Sequence, residues 1–219
     1  MRHSYYTAIR MSYPELMIDI ETMGPAPDGA VLAIGAVPFA MNGVKLEIAP
    51  EDDWFDVRIT LEANVRAGRK IDGDTIEWWL RQDRDAQVVL LREPRHTNLD
   101  TVMVEFCEFV EKHGCKTVWA KPPTFDLLIL RHMFGADWPF HWRNERDVRT
   151  VLYMADTLGW KLPEKPDGVK HDAVHDAYVQ AKQVTDFVAY ARRVCVRPAE
   201  PPKPVRPGIH GTITVRDEE

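Results

Sequence analysis

The chain has few cysteines and no long apolar run. Its three cysteines form no Cys-x-x-Cys pair, so the sequence predicts neither a disulfide scaffold nor a zinc site, and a reducing cytoplasm is the simplest compartment. The longest apolar run, residues 30–41, contains Gly35 and Pro38 and is too short to span a membrane. The first ten residues include no apolar segment of the signal-peptide type.

An excess of basic residues is also missing. The 219 residues include 28 Lys and Arg against 34 Asp and Glu, which gives a formal net charge of -6. This balance argues against a protein that coats nucleic acid indiscriminately, whereas an enzyme with a local basic groove remains compatible with it. The length allows one domain with a substantial core or two very small ones.

The most informative stretch is an apolar run, residues 16–22, that carries two acids. If this run is a strand, Asp19 and Glu21 lie on one face, because side chains two residues apart point the same way. Isolated buried charges cost several kcal/mol unless they are paired or bound to a metal. Two acids near the end of a central strand therefore suggest a metal site, the alternative being a strand with a solvated acidic edge.

The remaining pattern predicts an α/β domain over residues 15–195, between a leader (1–14, with Met11 as an alternative start) and a proline-rich extended tail (196–219). Because few residues connect the first two strands, they should pair in antiparallel fashion. The predicted elements are strands at 16–22, 31–37 and 54–61, a loop or short helical turn at 62–73, a helix at 75–91 capped by Asp74, a helix from Asp100 to Gly114, a strand at 117–120, and helices from near 124, at 147–158 and from about 172.

Trp78 and Trp79 cannot both face the same core from one helix. One of the two is either exposed for stacking on a base or a partner, or simply a half-buried core residue.

Further acids occur where they can join Asp19 and Glu21. Asp126 begins a predicted helix just beyond a strand, and Asp176 lies one turn inside the last helix, with His171 just before it. Carboxylate oxygens are the ligands that Mg²⁺ and Mn²⁺ prefer, and two such ions about 4 Å apart can stabilise the attacking and leaving oxygens of a phosphodiester displacement. A neutral histidine beside them can take the proton from the attacking water.

The spacing of His171 and Asp176 predicts where the histidine lies. Residues five apart in a continuous helix point about 140° away from each other, so we expect His171 on the loop before the helix. His175, which neighbours Asp176, is expected to be a solvated helix position.

These residues resemble the three motifs of the DEDD superfamily of 3′–5′ exonucleases: Asp-x-Glu on a first strand, a central Asp, and a C-terminal Asp preceded by His or Tyr. Here they are Asp19-Ile20-Glu21, Phe125-Asp126 and residues 171–176, and histidine five residues before the last Asp is typical of the histidine subclass, DEDDh. Over residues 16–190 the chain is most similar to phage and prophage exonucleases grouped with bacterial 3′–5′ exoribonucleases. The matching text is MIDIETMG (17–24), IEWWL (76–80), Phe125-Asp126 and RDVRT (146–150).

The resemblance implies an RNase H-like α/β fold with a mixed five-stranded sheet flanked by helices. It implies a 3′–5′ exonuclease that needs two Mg²⁺ or Mn²⁺ ions and releases nucleoside 5′-monophosphates. Asp19, Glu21 and Asp176 would hold the first ion, Asp126 the second, and His171 would be the general base. The expected partner is a single-stranded 3′ end of DNA or RNA, in the cytoplasm of a bacterial host, with no membrane and with homo-oligomerisation possible.

A second set of residues is expected to contact substrate: Thr22, Met23, Lys121, Phe125, Arg146 and Arg149. Residues 120–124 (AKPPT) depart from the Gly-Asn-Gly-like segment of close relatives, so substrate preference is the property most affected. Lys121 either contacts phosphate or is simply solvated. Arg146 and Arg149 either contact substrate or, with Asp147, form a structural ion pair.

Two other functions fit the same fold. One is an RNase H-type endonuclease, which would cut internally, and the other is a non-catalytic nucleic-acid-binding module. The presence of all five motif residues argues against the binding module.

Overall fold

A mixed β-sheet forms the centre of the molecule, for which a computed structural model describes residues 12–41, 46–164 and 166–195. Its strands are β1 (Glu15–Thr22), β2 (Val31–Ala40), β3 (Glu47–Ile48), β4 (Phe55–Arg58), β5 (Thr117–Ala120) and β6 (Glu145–Asp147). The strand order is β3-β2-β1-β5-β6, and β4 also pairs with β2. Since β3 and β4 pair with different stretches of β2, six strands make a sheet five strands wide, and the predicted α/β fold is confirmed.

The first two strands pair in antiparallel fashion along their whole length, as expected from their short connection. On its other side β1 is parallel to β5, but only residues 15–17 pair with it. The C-terminal half of β1 therefore extends past the end of β5, and this half carries Asp19 and Glu21.

Seven α-helices flank the sheet in the described part of the chain. They are α1 (Leu61–Arg66), α2 (Gly73–Leu80), α3 (Arg84–Leu90), α4 (Leu99–His113), α5 (Asp126–Phe134), α6 (Val148–Thr157) and α7 (Ala173–Cys195). The buried side chains of β1 alternate between two cores. Leu16, Ile18 and Ile20 pack with α4 and α5, whereas Met17 packs with α6 and α7. The alternation places Asp19 and Glu21 on the α7 side of the sheet.

The helix predicted at 75–91 is wrong in two respects. It is two helices, α2 and α3, because the polar residues 81–83 form a turn between them. Its cap is Asp72 rather than Asp74, since the Asp72 carboxylate accepts the Thr75 backbone N–H at 2.9 Å.

Other boundaries also differ from expectation. The third strand ends at Arg58 rather than at Leu61. Thr60 caps α1, a short helix that agrees with the helical alternative predicted for residues 62–73. Asn98, not Asp100, caps α4. β6 has no counterpart among the predicted strands, because three polar or charged residues carry no alternating pattern. Residues 1–11 and 196–219, which hold most of the predicted leader and the tail, lie outside the described residues.

None of the helices that the structure describes combines the length and the apolar character needed to cross a membrane.

Candidate active site

The start of α7 lies directly on the sheet, and a glycine makes this approach possible. Gly35 of β2 is paired with Asp19 across the strands. A Cβ atom at Gly35 would lie 2.2 Å from backbone atoms of Ala173 and Val174, a distance that no side chain tolerates. The missing side chain therefore allows the start of α7, between His171 and Asp176, to pack directly on β2 beside Asp19.

Two hydrogen bonds tie other parts of the site to β1. The Ile20 backbone N–H donates to Oδ1 of Asp126, the first residue of α5, at 3.2 Å. This N–H lies in the half of β1 that β5 does not reach. Gln180, one turn after Asp176 on α7, donates from Nε2 to Oδ1 of Asp19 at 2.8 Å. Strand and helix ends thus converge at the edge of the sheet where β1 ends.

Burial raises the pKa values of three of the four acids, and neighbouring acids add to the shift in two of them. Burial, followed by the charges of Asp19, Asp176 and Asp126, raises the pKa of Glu21 to about 10, although Arg58 opposes the shift. Burial raises the pKa of Asp126 to about 7. The pKa of Asp19 lies well above its usual range because of burial and then of Asp126 and Asp176, against the hydrogen bond from Gln180 and the charge of Lys121.

The donor set fits divalent cations. Within the described ranges, Glu21 receives no hydrogen bond or ion pair, even though its side chain is buried. Mutually repelling carboxylates of this kind gain stability from a bound cation, and an oxygen-rich set with one imidazole suits Mg²⁺ or Mn²⁺. One ligand atom each from Glu21, His171 and Asp176 lie within 4.8 Å of one another, so the three could share one ion.

His171 lies on the loop before α7, as its spacing predicts. Its backbone is left-handed, with a φ of 61°. The His171 N–H donates to Oδ2 of Asp176 at 3.2 Å, and the Asp176 N–H donates to the carbonyl of Asp172 at 2.8 Å. These reciprocal bonds fix the separation of the histidine and the last acid.

The two adjacent tryptophans both contact the imidazole of His171 edge to face. Trp79 is buried, and its Nε1–H donates to the carbonyl of Thr22 at 2.9 Å. Trp78 is 43% exposed, and its ring centroid lies 4.9 Å from that of His171. Trp78 is therefore the exposed member of the pair, and it lies beside the candidate base.

A groove of about 550 Å³ opens next to His171. The turn between α2 and α3, with the start of α3, lines one side, and residues 168–171 line the other. The ring of His175 packs against Gly168 and is half-buried, so the expectation of a solvated helix position is wrong for this residue.

The residues expected to contact substrate differ in how exposed they are. Thr22 is buried at the end of β1, and Met23 packs against the small core around Trp79. Phe125 is half-buried before Asp126. Lys121 is exposed and close enough to lower the pKa of Asp19.

Arg146 and Arg149 lie at the end of β6, which is two strands away from β1. Arg149 forms an ion pair with Asp147 at 2.6 Å, so the structural alternative is present for this residue. Arg146 is exposed and donates to the carbonyls of Arg143 and Glu145. Because β1, β5 and β6 are parallel, their C-terminal ends share one edge of the sheet.

Sequence reasoning missed three residues of this region. Gln180 had a usable signal, since its spacing of four residues from Asp176 places both on one helix face. Arg58 and Asp172, whose side chains lie 2.7 Å apart, had none, because 114 positions separate them in the chain.

Comparison with known proteins identifies the family. The model of the 3′–5′ exoribonuclease Rv2179c-like domain matches residues 14–188, which is most of the chain. The chain is also similar to a protein named exodeoxyribonuclease from Enterobacteria phage T4. The two are 24% identical over 213 residues, which cover 85% of this chain and 94% of the phage protein.

The predicted resemblance to phage-type 3′–5′ exonucleases is confirmed by these matches. The chain belongs to the 3′–5′ exoribonuclease Rv2179c-like family and is a 3′–5′ exonuclease.

Proposed function

We propose that this exonuclease removes nucleotides from single-stranded 3′ ends by a two-metal mechanism and releases nucleoside 5′-monophosphates. The observation that carries the proposal is the convergence of four acids, three of them with raised pKa values, beside a histidine on a fixed loop. Perturbed titratable groups clustered in a cleft are typical of catalytic sites.

Asp19, Glu21 and Asp176 would hold one Mg²⁺ or Mn²⁺ ion, and Asp126 would hold a second. When bound, such a pair of cations neutralises charge on the scissile phosphate and makes water more acidic. Hydrogen bonds orient two of these ligands before an ion binds, since Gln180 donates to Asp19 and the Ile20 N–H donates to Asp126.

His171 is the proposed general base. Its imidazole would accept the proton of the attacking water, which requires a neutral ring within hydrogen-bond reach of that water. The hydrogen bond from the His171 N–H to Asp176 keeps the ring beside the ligands, and the roughly perpendicular rings of Trp78 and Trp79 limit its rotation. A misplaced base would lose most of its effect.

Trp78 and Lys121 are proposed to contact the strand itself. The exposed face of Trp78 offers a stacking surface for a base near the 3′ end, and Lys121 offers a cation to a phosphate. The groove beside His171 gives the strand a path to the site. We further propose a cytoplasmic location. We also propose that the protein assembles into homo-oligomers, and light scattering of the full chain measures that oligomeric state.

The name of the family refers to RNA, and the name of the phage relative refers to DNA, so both belong in the assay. The protein is incubated with Mg²⁺ or Mn²⁺ and matched DNA and RNA oligonucleotides carrying either a 5′ or a 3′ label. We expect a ladder from the 5′ label and mononucleotides from the 3′ label, both abolished by chelator and by Asp19→Ala. Glu77→Ala, which removes an exposed acid paired with Arg81, is the matched control and should leave the ladder unchanged.

Each alternative function gives a different result. Internal fragments without mononucleotides would indicate an RNase H-type endonuclease. Binding without cleavage of any substrate would indicate a non-catalytic module. A metal-dependent ladder that persists in Asp19→Ala would contradict the assignment of the site.

A further inference from the structure

We infer that Arg58 is a positioning residue for His171 and that it acts through Asp172. The inference rests on the proposed role of His171 as the general base. Arg58 lies outside the three exonuclease motifs. Asp172 lies within the third motif but is neither the proposed base nor a proposed metal ligand, and neither residue is proposed to touch substrate.

Arg58 is a buried cation that joins three parts of the fold. Its side chain is 3% exposed, and its Nε–H donates to the carbonyl of Val89, near the end of α3, at 3.1 Å. One terminal nitrogen pairs with Asp56 on the same strand. The other, Nη2, pairs with Oδ1 of Asp172 at 2.7 Å.

The partner Asp172 is the residue between His171 and the first residue of α7. Left-handed backbone is uncommon for residues other than glycine and persists where the surroundings enforce it. At His171 the enforcement comes from two sides. On one side, the N–H of His171 donates to Asp176. On the other, Asp172 is held through its carbonyl by the Asp176 N–H and through its carboxylate by Arg58.

The two acids that pair with Arg58 differ in whether a second cation is available to them. Asp56 has a second cation, because Arg92 pairs with it at 2.6 Å. Asp172 has no other cationic partner among the described residues. Without Arg58, Asp56 keeps a partner and Asp172 loses its only one, so the effect falls on the loop of His171.

Stability is a weak explanation for this arrangement. A buried ion pair gains little over apolar side chains of the same volume, because removing both charges from water offsets their attraction. The guanidinium of Arg58 instead holds three segments in a fixed relative position, because its donor groups reach a strand, the end of α3 and the loop of His171.

The test compares kcat and KM of Arg58→Met, Asp172→Ala, the double variant and Asp56→Asn. We expect kcat to fall about 10- to 100-fold in the first two, with KM within about threefold, because misplacing a catalytic group by about 1 Å costs on this scale. The double variant should lose no more than either single variant, as for two residues that act as one unit. Asp172→Asn should retain more kcat than Asp172→Ala, and Asp56→Asn should stay within about threefold of wild type.

Two further measurements separate positioning from loss of stability and from loss of function. Val110→Ala, a core truncation in α4, lowers stability without approaching the site, and its kcat should stay near that of wild type well below its melting temperature. The NMR Cα and Cβ shifts of His171 report its left-handed backbone without any turnover. They should change in Arg58→Met and Asp172→Ala, and stay constant in Asp56→Asn and Val110→Ala.

Several results would overturn the inference: normal kcat in Asp172→Ala, additive losses in the double variant, a kcat in Val110→Ala as low as in Arg58→Met, or unchanged His171 shifts in Arg58→Met. If wild type cleaves nothing, the proposed function fails, and the NMR comparison still decides whether Arg58 holds the loop.

Discussion

Two clusters of charged side chains lie side by side at the start of α7, and they differ in the balance of their charges. The acidic cluster consists of Asp19, Glu21, Asp126 and Asp176, four groups of one sign, and burial followed by repulsion from neighbouring acids raises the pKa values of Asp19 and Glu21. The paired cluster consists of Arg58, Arg92, Asp56 and Asp172, two cations and two anions joined by ion pairs.

The difference between the clusters indicates what each one does. Crowding four acids together at a partly buried site opposes folding, so such a group is typical of a site that binds a ligand of opposite charge. The paired cluster needs no ligand, and its charges hold neighbouring segments in place. Because Asp172 directly follows His171, the second cluster fixes the geometry that the first requires.

Neutralising one member of each cluster should have opposite effects on stability. Asp19→Asn should lower exonuclease activity ~10³-fold or more, since metal ligation contributes several kcal/mol to transition-state stabilisation. The same change should raise the melting temperature of the metal-free protein, because it removes one of the repelling acids. Asp172→Ala should lower that melting temperature, because removing one partner of a buried pair costs about 3–5 kcal/mol.

Thermal unfolding in chelator and single-turnover cleavage measure these two effects. Glu77→Gln, which changes an exposed acid, should alter neither. A lower melting temperature for metal-free Asp19→Asn would contradict the view that the acidic cluster opposes folding.

Replacing His171 tests whether it belongs to the acidic cluster as a base or as a ligand. His171→Gln should lower kcat about 10²- to 10³-fold, the usual contribution of a general base. Its affinity for Mn²⁺, measured by titration calorimetry, should stay within about threefold of wild type. A large loss of affinity would make His171 a metal ligand beside Glu21 and Asp176, which its position permits. The exposed His132 provides the control, as His132→Gln should change neither quantity.

The acidic cluster also predicts how pH affects the metal-free protein. In the folded protein, burial raises the pKa of Glu21 from 4.5 to about 10 and that of Asp126 from 3.8 to about 7. The folded protein therefore holds protons that the unfolded chain has released. The stability from these groups is fully present below about pH 4 and is lost as the pH rises through 7 and towards 10.

In chelator, the melting temperature should thus be lower at pH 8 than at pH 6. Saturating Mg²⁺ should raise it more at pH 8, because protons compete with the cation for the same oxygens. Glu21→Gln should reduce this dependence on pH. If Mg²⁺ raised the melting temperature equally at both pH values, the raised pKa values of the acidic cluster would be contradicted.

The sequence allowed the acidic cluster to be predicted, because each acid occupies a recognisable position on its element. Asp19 and Glu21 share a strand face, Asp126 begins a helix, and the spacing of His171 from Asp176 places the histidine on a loop. The order of strands and helices likewise predicted the α/β architecture. Local pattern sufficed because each of these features depends on the period of one strand or helix or on where that element begins.

The paired cluster could not be predicted in the same way. Arg58 and Asp172 are joined only by the tertiary fold, and a lone arginine in an alternating strand is typical of a solvated position. The break between α2 and α3 was missed because residues 81–83 are compatible with a helix, and the turn has no glycine or proline. The close packing of the α7 backbone on Gly35 could not be predicted either, because the sequence of β2 alone does not show how closely a helix approaches it.

Two exposed cations, Lys121 and Arg149, also differ in whether they form an ion pair. Lys121 has no ion pair with a described residue and lies near Asp19, whereas Arg149 is paired with Asp147. Lys121→Ala should raise KM a fewfold and reduce the slope of log KM against log salt by about 0.7, the value for one phosphate contact on a single strand. Arg149→Ala should leave the slope unchanged and change the stability little, as for most surface ion pairs.

Steady-state kinetics on one labelled oligonucleotide at several salt concentrations measures both variants against wild type. Since the predicted effects are small, the slope rather than the absolute KM decides between them. A reduced slope in Arg149→Ala would show that its ion pair with Asp147 does not prevent a phosphate contact, and the end of β6 would then join the substrate path. An unchanged slope in Lys121→Ala would mean that a cation can lie beside the acidic cluster without contacting the strand.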